Sequence, residues 1–485
     1  MTVDEEYDLI VIGSGPGGQK AAVQGAKAGL KVALVERERK VGGTCVHLGT
    51  IPSKTLREAA LTIATLKRNA DVFDFKLKDD MEVSTLMRRL DNVLNSYTDF
   101  ISEYVRNEGI TSFHGRASFI DETTIKLSSV KGEETVLKGK TTVIATGSRP
   151  RTPPDIPVDQ ENILDSDSIL SMIYLPRSLT VIGAGVIASE YASIFSLLGV
   201  SVTMIDCTPR PLMFMEPELT EKFLQNFTRN GGTYIGNTKY QKIEWDGVSQ
   251  VVCELDNGQT IYSDKMLVAQ GRIANTEDLG IEKFDMERGR NGVIAVNEEY
   301  RTSVPNIYAV GDVIGPPSLG SVSMEQGRRA VCHAIGMNPG SKYEIIPIGI
   351  YAVPELSSIG LSEQEAREKY GDDIIVGRAN FDEVARGQIA GIQDGMLKMI
   401  ADPEGKKILG VHIVAEGATD LIHVGEMAII NNNDVSVFLE NVLNFPTLGE
   451  AYRIAALNIT NKRIERFNRK PDSRIQKLIE QAELN

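Results

Sequence analysis

Paired cysteines are missing from this chain. Cys45, Cys207, Cys253 and Cys332 are scattered along 485 residues without paired spacing, which excludes a disulfide framework and a zinc motif and fits a reducing compartment. No apolar run approaches the roughly 18 residues of a membrane span. The N-terminus, Met1-Thr2-Val3-Asp4-Glu5-Glu6, is acidic and runs directly into a strand pattern, so the protein is expected to be cytoplasmic and soluble. A long basic run is lacking too. Lys and Arg number 52 against 66 Asp and Glu, a net charge of −14, which provides no electrostatic footprint for nucleic acid or an anionic membrane. Small molecules are the expected partners. At about 150 residues per domain, the length predicts about three domains.

What is present is a strand–glycine–helix unit, twice. Tyr7-Asp8-Leu9-Ile10-Val11-Ile12 is followed at once by Gly13-Ser14-Gly15-Pro16-Gly17-Gly18 and an Ala-rich helical stretch. Gly13, Gly15 and Gly18 permit a tight turn and close backbone approach, and the helix N-terminus offers N–H groups and a positive dipole end to a pyrophosphate. A second strand pattern, 31–36, ends in Glu36, about twenty residues on, where a ribose hydroxyl is bound in such units. Leu179-Thr180-Val181-Ile182 followed by Gly183-Ala184-Gly185-Val186-Ile187-Ala188 repeats the pattern, and the strand 202–205 ends in Asp206. Two such units imply two nucleotides, whose redox rings can then be stacked on each other.

Between and after these units the pattern changes. Residues 55–106 read as helical and charged. A buried strand ends in Ala145-Thr146-Gly147-Ser148 and is followed by Arg149-Pro150-Arg151-Thr152-Pro153-Pro154, a crossover out of the first domain. The strand 302–310 ends in Gly311-Asp312. Beyond about residue 343, strands at 396–400 and 408–414 alternate with helices, and 463–485 is a charged helical extension.

The stretch Gly42-Gly43-Thr44-Cys45-Val46-His47-Leu48-Gly49-Thr50-Ile51-Pro52-Ser53-Lys54 resembles the redox segment of the pyridine nucleotide-disulfide oxidoreductases. The glycine units, the Gly311-Asp312 signature and the region opened by Val353-Pro354-Glu355 match that family in the same order, over nearly the whole chain. The resemblance implies an α/β fold with two Rossmann-type dinucleotide-binding domains, for FAD and for NAD(P), plus a C-terminal α+β dimerisation domain. The implied boundaries are 1–150 and 276–343 for the FAD domain, 151–275 for the NAD(P) domain, 344–464 for the interface domain and 465–485 for the extension. It also implies a homodimer or larger homo-oligomer. By the same resemblance Gly13, Gly15, Gly18, Glu36, Thr146, Gly147 and Asp312 contact FAD. Gly183, Gly185, Ala188, Asp206 and Arg210 contact NAD(P), and Lys54 and Glu190 form an ion pair near the flavin N5.

Two departures from the family are informative. Its members carry a second cysteine five positions after the first, where this chain has Thr50, which hydrogen-bonds but cannot form a disulfide. Its acid/base histidine is replaced by Phe445, in Asn444-Phe445-Pro446-Thr447-Leu448-Gly449-Glu450, and a phenyl ring exchanges no proton. A dithiol relay needs both sulfurs and a base. Thr50, Phe445 and the stretch 165–170 are similar to those members that pass hydride between nicotinamide pools, implying FAD-dependent exchange between NAD(H) and NADP(H). Cys45 is then a packed thiol. An acid at 206 favours the 2′-hydroxyl of NAD and repels the 2′-phosphate of NADP unless Arg210 turns toward that phosphate. Two other readings stay open: an NAD(P)H dehydrogenase feeding a quinone or another acceptor, and a non-catalytic nucleotide sensor.

Overall fold

The computed structural model describes residues 5–69, 83–341 and 345–468. Most of the charged extension thus lies outside the described residues. The chain divides into two compact units, Met1–Gly183 with Thr238–Lys342, and Ala184–Asn237 with Tyr343–Asn485.

The first unit is organised by strands too apolar to face water on either side. Val32–Glu36 is buried at every residue, as a parallel strand covered on both faces must be. Among the described residues it belongs to a seven-stranded sheet in the order Thr111–His114, Val32–Glu36, Glu5–Ile12, Glu134–Ile144, Thr124–Ser128 and Arg116–Phe119, with Ile307–Ala309 also paired to Glu134–Ile144. That long strand has two jobs. Its first half pairs antiparallel with Thr124–Ser128, and its last three residues pair parallel with Ile307–Ala309. The chain thus re-enters the sheet immediately before Gly311-Asp312. The helices Pro16–Lys27 and Gly320–Ala334 pack on it, and the charged region resolves into helices Thr50–Asn69 and Val83–Asn107. Parallel strands Ile163–Leu164, Lys265–Val268 and Ser178–Ile182 complete the approach to the second glycine loop.

In the second unit, Ser201–Ile205 pairs in parallel with Thr233–Ile235, flanked in sequence by helices Val186–Leu197 and Pro217–Arg229. A five-stranded antiparallel sheet follows, in the order Ile348–Ile350, Leu356–Gly360, Ile408–Val414, Met396–Ala401 and Ile375–Asn380. The helices Ala418–Ile430 and Glu450–Asn468 close one core around Phe381, Leu397, Val411, Ile422 and Tyr452.

Every residue of Met396–Ala401 and Ile408–Val414 is buried, yet each strand carries one ionisable side chain. The register places Arg378 opposite Lys398, Lys398 opposite His412, and His412 opposite Ser358. Directly opposed residues share a face, so four polar side chains form one row across four strands. Two adjacent cations in such a row repel, and three carboxylates offset them. Lys398 Nζ lies 2.8 Å from Glu216, 2.6 Å from Glu218 and 2.7 Å from Glu363. Arg378 donates to both oxygens of Glu218, at 2.7 and 2.6 Å, and Arg367 holds Glu363 at 2.5 Å. Burial keeps His412 from protonating. Its Nε2–H donates to the Leu361 carbonyl and its Nδ1 accepts from the Ser358 hydroxyl, both at 2.9 Å.

Removing one partner of a buried ion pair strands the other in low dielectric, at a cost of about 3–5 kcal/mol. Lys398→Met is therefore expected to lower the unfolding free energy by about that amount in urea titrations; an unchanged midpoint would mean that the row is not structural. The Glu218 carboxyl is held down to about 2, from 4.5, chiefly by the Arg378 hydrogen bond. A depressed folded pKa contributes stability that is present above the unfolded value and lost as pH falls through the folded one. The urea midpoint should therefore decline from about pH 4.5 towards 2, and less steeply in Glu218→Gln.

Candidate dinucleotide sites

The first glycine loop leaves the end of Glu5–Ile12 with Gly13 at a φ of +103°. A Cβ on Gly13 would lie 2.3 Å from the Ala145 carbonyl oxygen, and one on Gly18 would lie 1.8 Å from the Gly13 oxygen. No side chain larger than hydrogen fits at either position. Gly15 is different: a Cβ there meets nothing within 4 Å. Gly15 caps the helix Pro16–Lys27 without a side-chain hydrogen bond, and Pro16 occupies its first turn. The N–H donors of that turn are therefore presented to open space, with the positive end of the helix dipole behind them.

Glu36 is buried beside this loop. Its Oε2 accepts the Ser14 N–H at 3.0 Å and the Ser14 hydroxyl at 2.5 Å, and its Oε1 accepts the Glu38 N–H at 2.9 Å. A carboxylate has about four acceptor positions, so room for a ribose hydroxyl remains. Ser14 in turn accepts the Gly42 N–H at 2.9 Å, and a Cβ on Gly43 would come within 2.8 Å of the Gly15 Cα. The segment that opens at Gly42 is thus fastened directly onto the glycine loop. Sequence reasoning passed over Ser14, whose place between two glycines gives no sign of this long-range role.

The short helix Gly43–His47 carries Cys45, and the helix Thr50–Asn69 begins at Thr50. Positions 45 and 50 come close enough for the Thr50 hydroxyl to act on the Cys45 thiol. Burial pushes the Cys45 thiol up, against the opposing pull of that hydroxyl and of the Lys54 ammonium, while the Asp312 carboxylate adds to the rise. Lys54 Nζ also reaches the Ser53 hydroxyl at 3.3 Å. The thiol is therefore protonated at neutral pH.

Asp312 follows the strand Ile307–Ala309 in a single 3₁₀ turn. Its Oδ2 accepts the Ser148 hydroxyl at 2.7 Å, and Ser148 accepts Arg272 Nε–H at 2.7 Å. Gln326 accepts the Gly311 N–H at 2.8 Å. Thr146 and Asn275 exchange two bonds, the Thr146 hydroxyl to the Asn275 carbonyl at 2.7 Å and the Asn275 amide to the Thr146 carbonyl at 2.9 Å. The small-residue turn 145–148 and the aspartate are therefore placed by Arg272, Asn275 and Gln326. None of these three was singled out in the sequence, because their partners lie far away along the chain.

The second loop repeats the first. Gly183 has a φ of +114°. Gly185 caps the helix Val186–Leu197 without a side-chain bond, and a Cβ on it meets nothing within 4 Å. Ala188 is fully buried against its surroundings. Asp206 Oδ1 accepts the Thr208 N–H at 2.8 Å and the Thr208 hydroxyl at 2.7 Å. Arg210 points to neutral oxygens: the Thr220 hydroxyl at 2.9 Å, the Met213 carbonyl at 3.0 Å and the Leu212 carbonyl at 3.3 Å. Glu190 lies buried in the same helix and accepts the Tyr351 N–H at 2.9 Å. It belongs to the second unit, whereas Lys54 belongs to the first.

Phe445 is 74% exposed. Glu450 opens the last helix, and its buried Oε2 has no hydrogen-bond partner among the described residues.

Residues 7–330 match the family model of the pyridine nucleotide-disulphide oxidoreductases, and 346–456 match their dimerisation domain. The chain belongs to this family. It is 40% identical over 459 residues to the soluble pyridine nucleotide transhydrogenase of Mycobacterium tuberculosis, covering 94% of this chain and 98% of that one. Identity is also 40% over 464 residues to the enzyme of the same name from Pseudomonas putida, with the same coverage. Among solved structures, LpdA of M. tuberculosis superposes with a TM-score of 0.85 at 25% identity, covering 93% of this chain and 99% of that one. The HOCl-induced flavoprotein disulfide reductase RclA of Escherichia coli gives 0.84 at 24%, with the same coverage.

As a pyridine nucleotide-disulphide oxidoreductase the chain is an α/β flavoprotein oxidoreductase with two Rossmann-type domains. It uses FAD and a nicotinamide dinucleotide, and it pairs with a second copy through its dimerisation domain. The residues fit these groups: two helix N-termini without a side-chain cap follow glycines on which a Cβ would meet nothing within 4 Å among the described residues, each with an acid at or just past the end of the next strand. Among the described residues no cluster of metal-ligating side chains occurs, and no helix is long and apolar enough to cross a membrane.

The two glycine geometries separate folding from binding. Gly15→Ala should leave the thermal unfolding midpoint near that of the unsubstituted apoprotein but release most of the flavin, measured by absorbance after gel filtration. Gly18→Ala, whose Cβ collides with backbone, should lose both. Full flavin content in Gly15→Ala would exclude the first loop as the pyrophosphate site.

Proposed function

We propose that this chain exchanges hydride between NAD(H) and NADP(H), one nucleotide leaving before the other enters, with no dithiol taking part. The observation that carries this reading is Thr50 near Cys45, at the position where a second thiol would be needed. Phe445 supports it from the other side, since neither it nor its neighbours provide the base that thiol exchange requires. The two curated relatives at 40% identity are both named soluble pyridine nucleotide transhydrogenases. Bound FAD supplies a ring that accepts a hydride from one nicotinamide and returns it to another.

The chain's own residues have simple tasks in such a reaction. The first helix N-terminus, with Glu36, Thr146, Gly147 and Asp312, holds and orients FAD. Lys54 places a positive charge near the Cys45 side of that site, which favours electron-rich states there. The second helix N-terminus takes the nicotinamide nucleotide's pyrophosphate, and Asp206 Oδ2 accepts from its ribose. With Arg210 bonded only to neutral oxygens in the contacts described above, moving it towards a 2′-phosphate breaks no carboxylate pair among them. Both nucleotides can therefore use one pocket. The four free thiols agree with a cytoplasmic setting.

Anaerobic stopped-flow absorbance tests the whole reading. NADPH should bleach the flavin, and NAD added afterwards should restore it. Recovery with a quinone or air alone would indicate a dehydrogenase, and no bleaching would indicate a nucleotide-binding protein without catalysis. Reduction of the flavin by dihydrolipoamide would defeat the argument from Thr50. In steady state, Asp206→Ala should lower kcat/KM for NADH about tenfold more than for NADPH, the size of one hydrogen bond to a charged acceptor. Equal losses would remove Asp206 from discrimination.

A further inference from the structure

The strand Ile375–Asn380, last in the order of the antiparallel sheet, borders a cavity of about 430 Å³ whose lining residues all belong to the second unit. Its walls come from that strand, from the helix Glu363–Tyr370 with the turn behind it, and from the last helix, Glu450–Asn468. Four cations line it, Arg367, Arg378, Lys462 and Arg466, with two carboxylates, Glu363 and Asp372. The dinucleotide sites use none of them.

These cations are unequally engaged. Arg378 gives Nε and Nη2 to Glu218, Arg367 gives Nε and Nη2 to Glu363, and Lys398 meets Glu216, Glu218 and Glu363. That inner set balances three cations against three carboxylates. Lys462 and Arg466, four residues apart on one helix face, stand outside it and are held by carbonyl oxygens alone. Lys462 Nζ donates to Val376 at 2.7 Å, and Arg466 Nη1 donates to Asp373 and Pro403. Among the described residues Lys462 has no ion pair, and Arg466 has only Asp373 Oδ1 at 3.9 Å. Asp372 and Asp373 are 98% and 84% exposed, so water screens their charge. Burial and then the Arg378 guanidinium hold the Lys462 pKa below its ordinary value, as for a cation without full neutralisation. Two protons of Lys462 Nζ, Nη1 of Arg378, and Nε and Nη2 of Arg466 have no acceptor among the described residues.

We infer that this cavity binds a phosphate dianion, free or carried by a small phosphate monoester, through Lys462 and Arg466. An ammonium and a guanidinium give charge-assisted hydrogen bonds to phosphate oxygens, and a double negative charge matches the two cations that the fold leaves without close carboxylates. The volume falls in the range of small-molecule sites, about 300–1,000 Å³, so space remains beyond the phosphate. Glu363 and Asp372 offer acceptors there for hydroxyl groups, and no aromatic side chain lines the cavity to stack a base. The body of an ester is therefore a polyol and not a nucleoside.

Isothermal titration calorimetry of the full-length holoprotein at fixed ionic strength tests this with inorganic phosphate, glucose 6-phosphate and glucose. Both phosphates should bind once per chain and glucose not at all. A tighter glucose 6-phosphate identifies an ester as the ligand, and equal affinities identify the free ion. Lys462→Gln and Arg466→Gln should each weaken phosphate binding about tenfold, the size of one hydrogen bond to a charged group, while Lys462→Arg should retain it. Absence of saturable binding would overturn the site, and so would full affinity in both glutamine variants, which would put the phosphate elsewhere, at a glycine loop for instance. If a glutamine variant does not fold, the unsubstituted protein decides: glucose 6-phosphate should raise its urea midpoint and glucose should not, and no rise overturns the proposal. None of these outcomes depends on hydride transfer.

Discussion

The first unit depends on one close approach, that of the helix Pro16–Lys27 to the loop before it. With the Gly13 oxygen only 1.8 Å from where a Gly18 Cβ would be, helix and loop touch backbone to backbone. That contact aims the helix N-terminus, fixes Ser14 where it can bind Glu36, and gives Gly42 an acceptor. Glu36, the segment that opens at Gly42 and the turn that begins the helix are consequently one assembly, and a displaced helix would disturb all three. Ser148, Arg272 and Gln326 provide a matching frame for Asp312 on the opposite approach.

The second unit answers a different problem. Its sheet is buried on both faces, and a strand with no exposed side gives ionisable residues no route to water. Aligning Arg378, Lys398, His412 and Ser358 in one row gathers the polar groups where Glu216, Glu218 and Glu363 can neutralise the cations. Because Glu216 stands at the start of Pro217–Arg229, the row also anchors the loop before that helix. Such a network adds little net stability over an apolar core, but it permits only one arrangement of helix against sheet.

How much of this was legible in the sequence follows from the range of each constraint. The strands at 7–12, 31–36, 179–182, 396–400 and 408–414 were readable because apolar runs and glycine punctuation act locally, and the structure has strands there. The glycine loops were readable for the same reason. The helices at 50–69 and 83–107 agree with the charged helical reading of 55–106 where it falls on described residues; its part at 70–82 lies outside them. Ser14, Ser148 and Arg272 were not readable, since each acts through a partner that only the fold brings near. Lys398 and His412 looked like ordinary interruptions of apolar strands, and only the register shows that they share a row. For Arg210 the sequence offered a 2′-phosphate of a bound nucleotide as a partner; the protein partners that the fold gives its guanidinium, Thr220 and two carbonyls, were not readable.

The raised thiol of Cys45 bears on chemical durability. Peroxide and hypochlorous acid attack thiolates far faster than thiols, and a disulfide-forming neighbour would then trap the oxidised sulfur. Here burial keeps the sulfur protonated, and the adjacent Thr50 cannot resolve it into a disulfide. A relative that works through a dithiol is silenced when its thiols are oxidised. On the reading proposed above the hydride passes without a thiol, so turnover should outlast oxidative conditions that stop the dithiol enzymes.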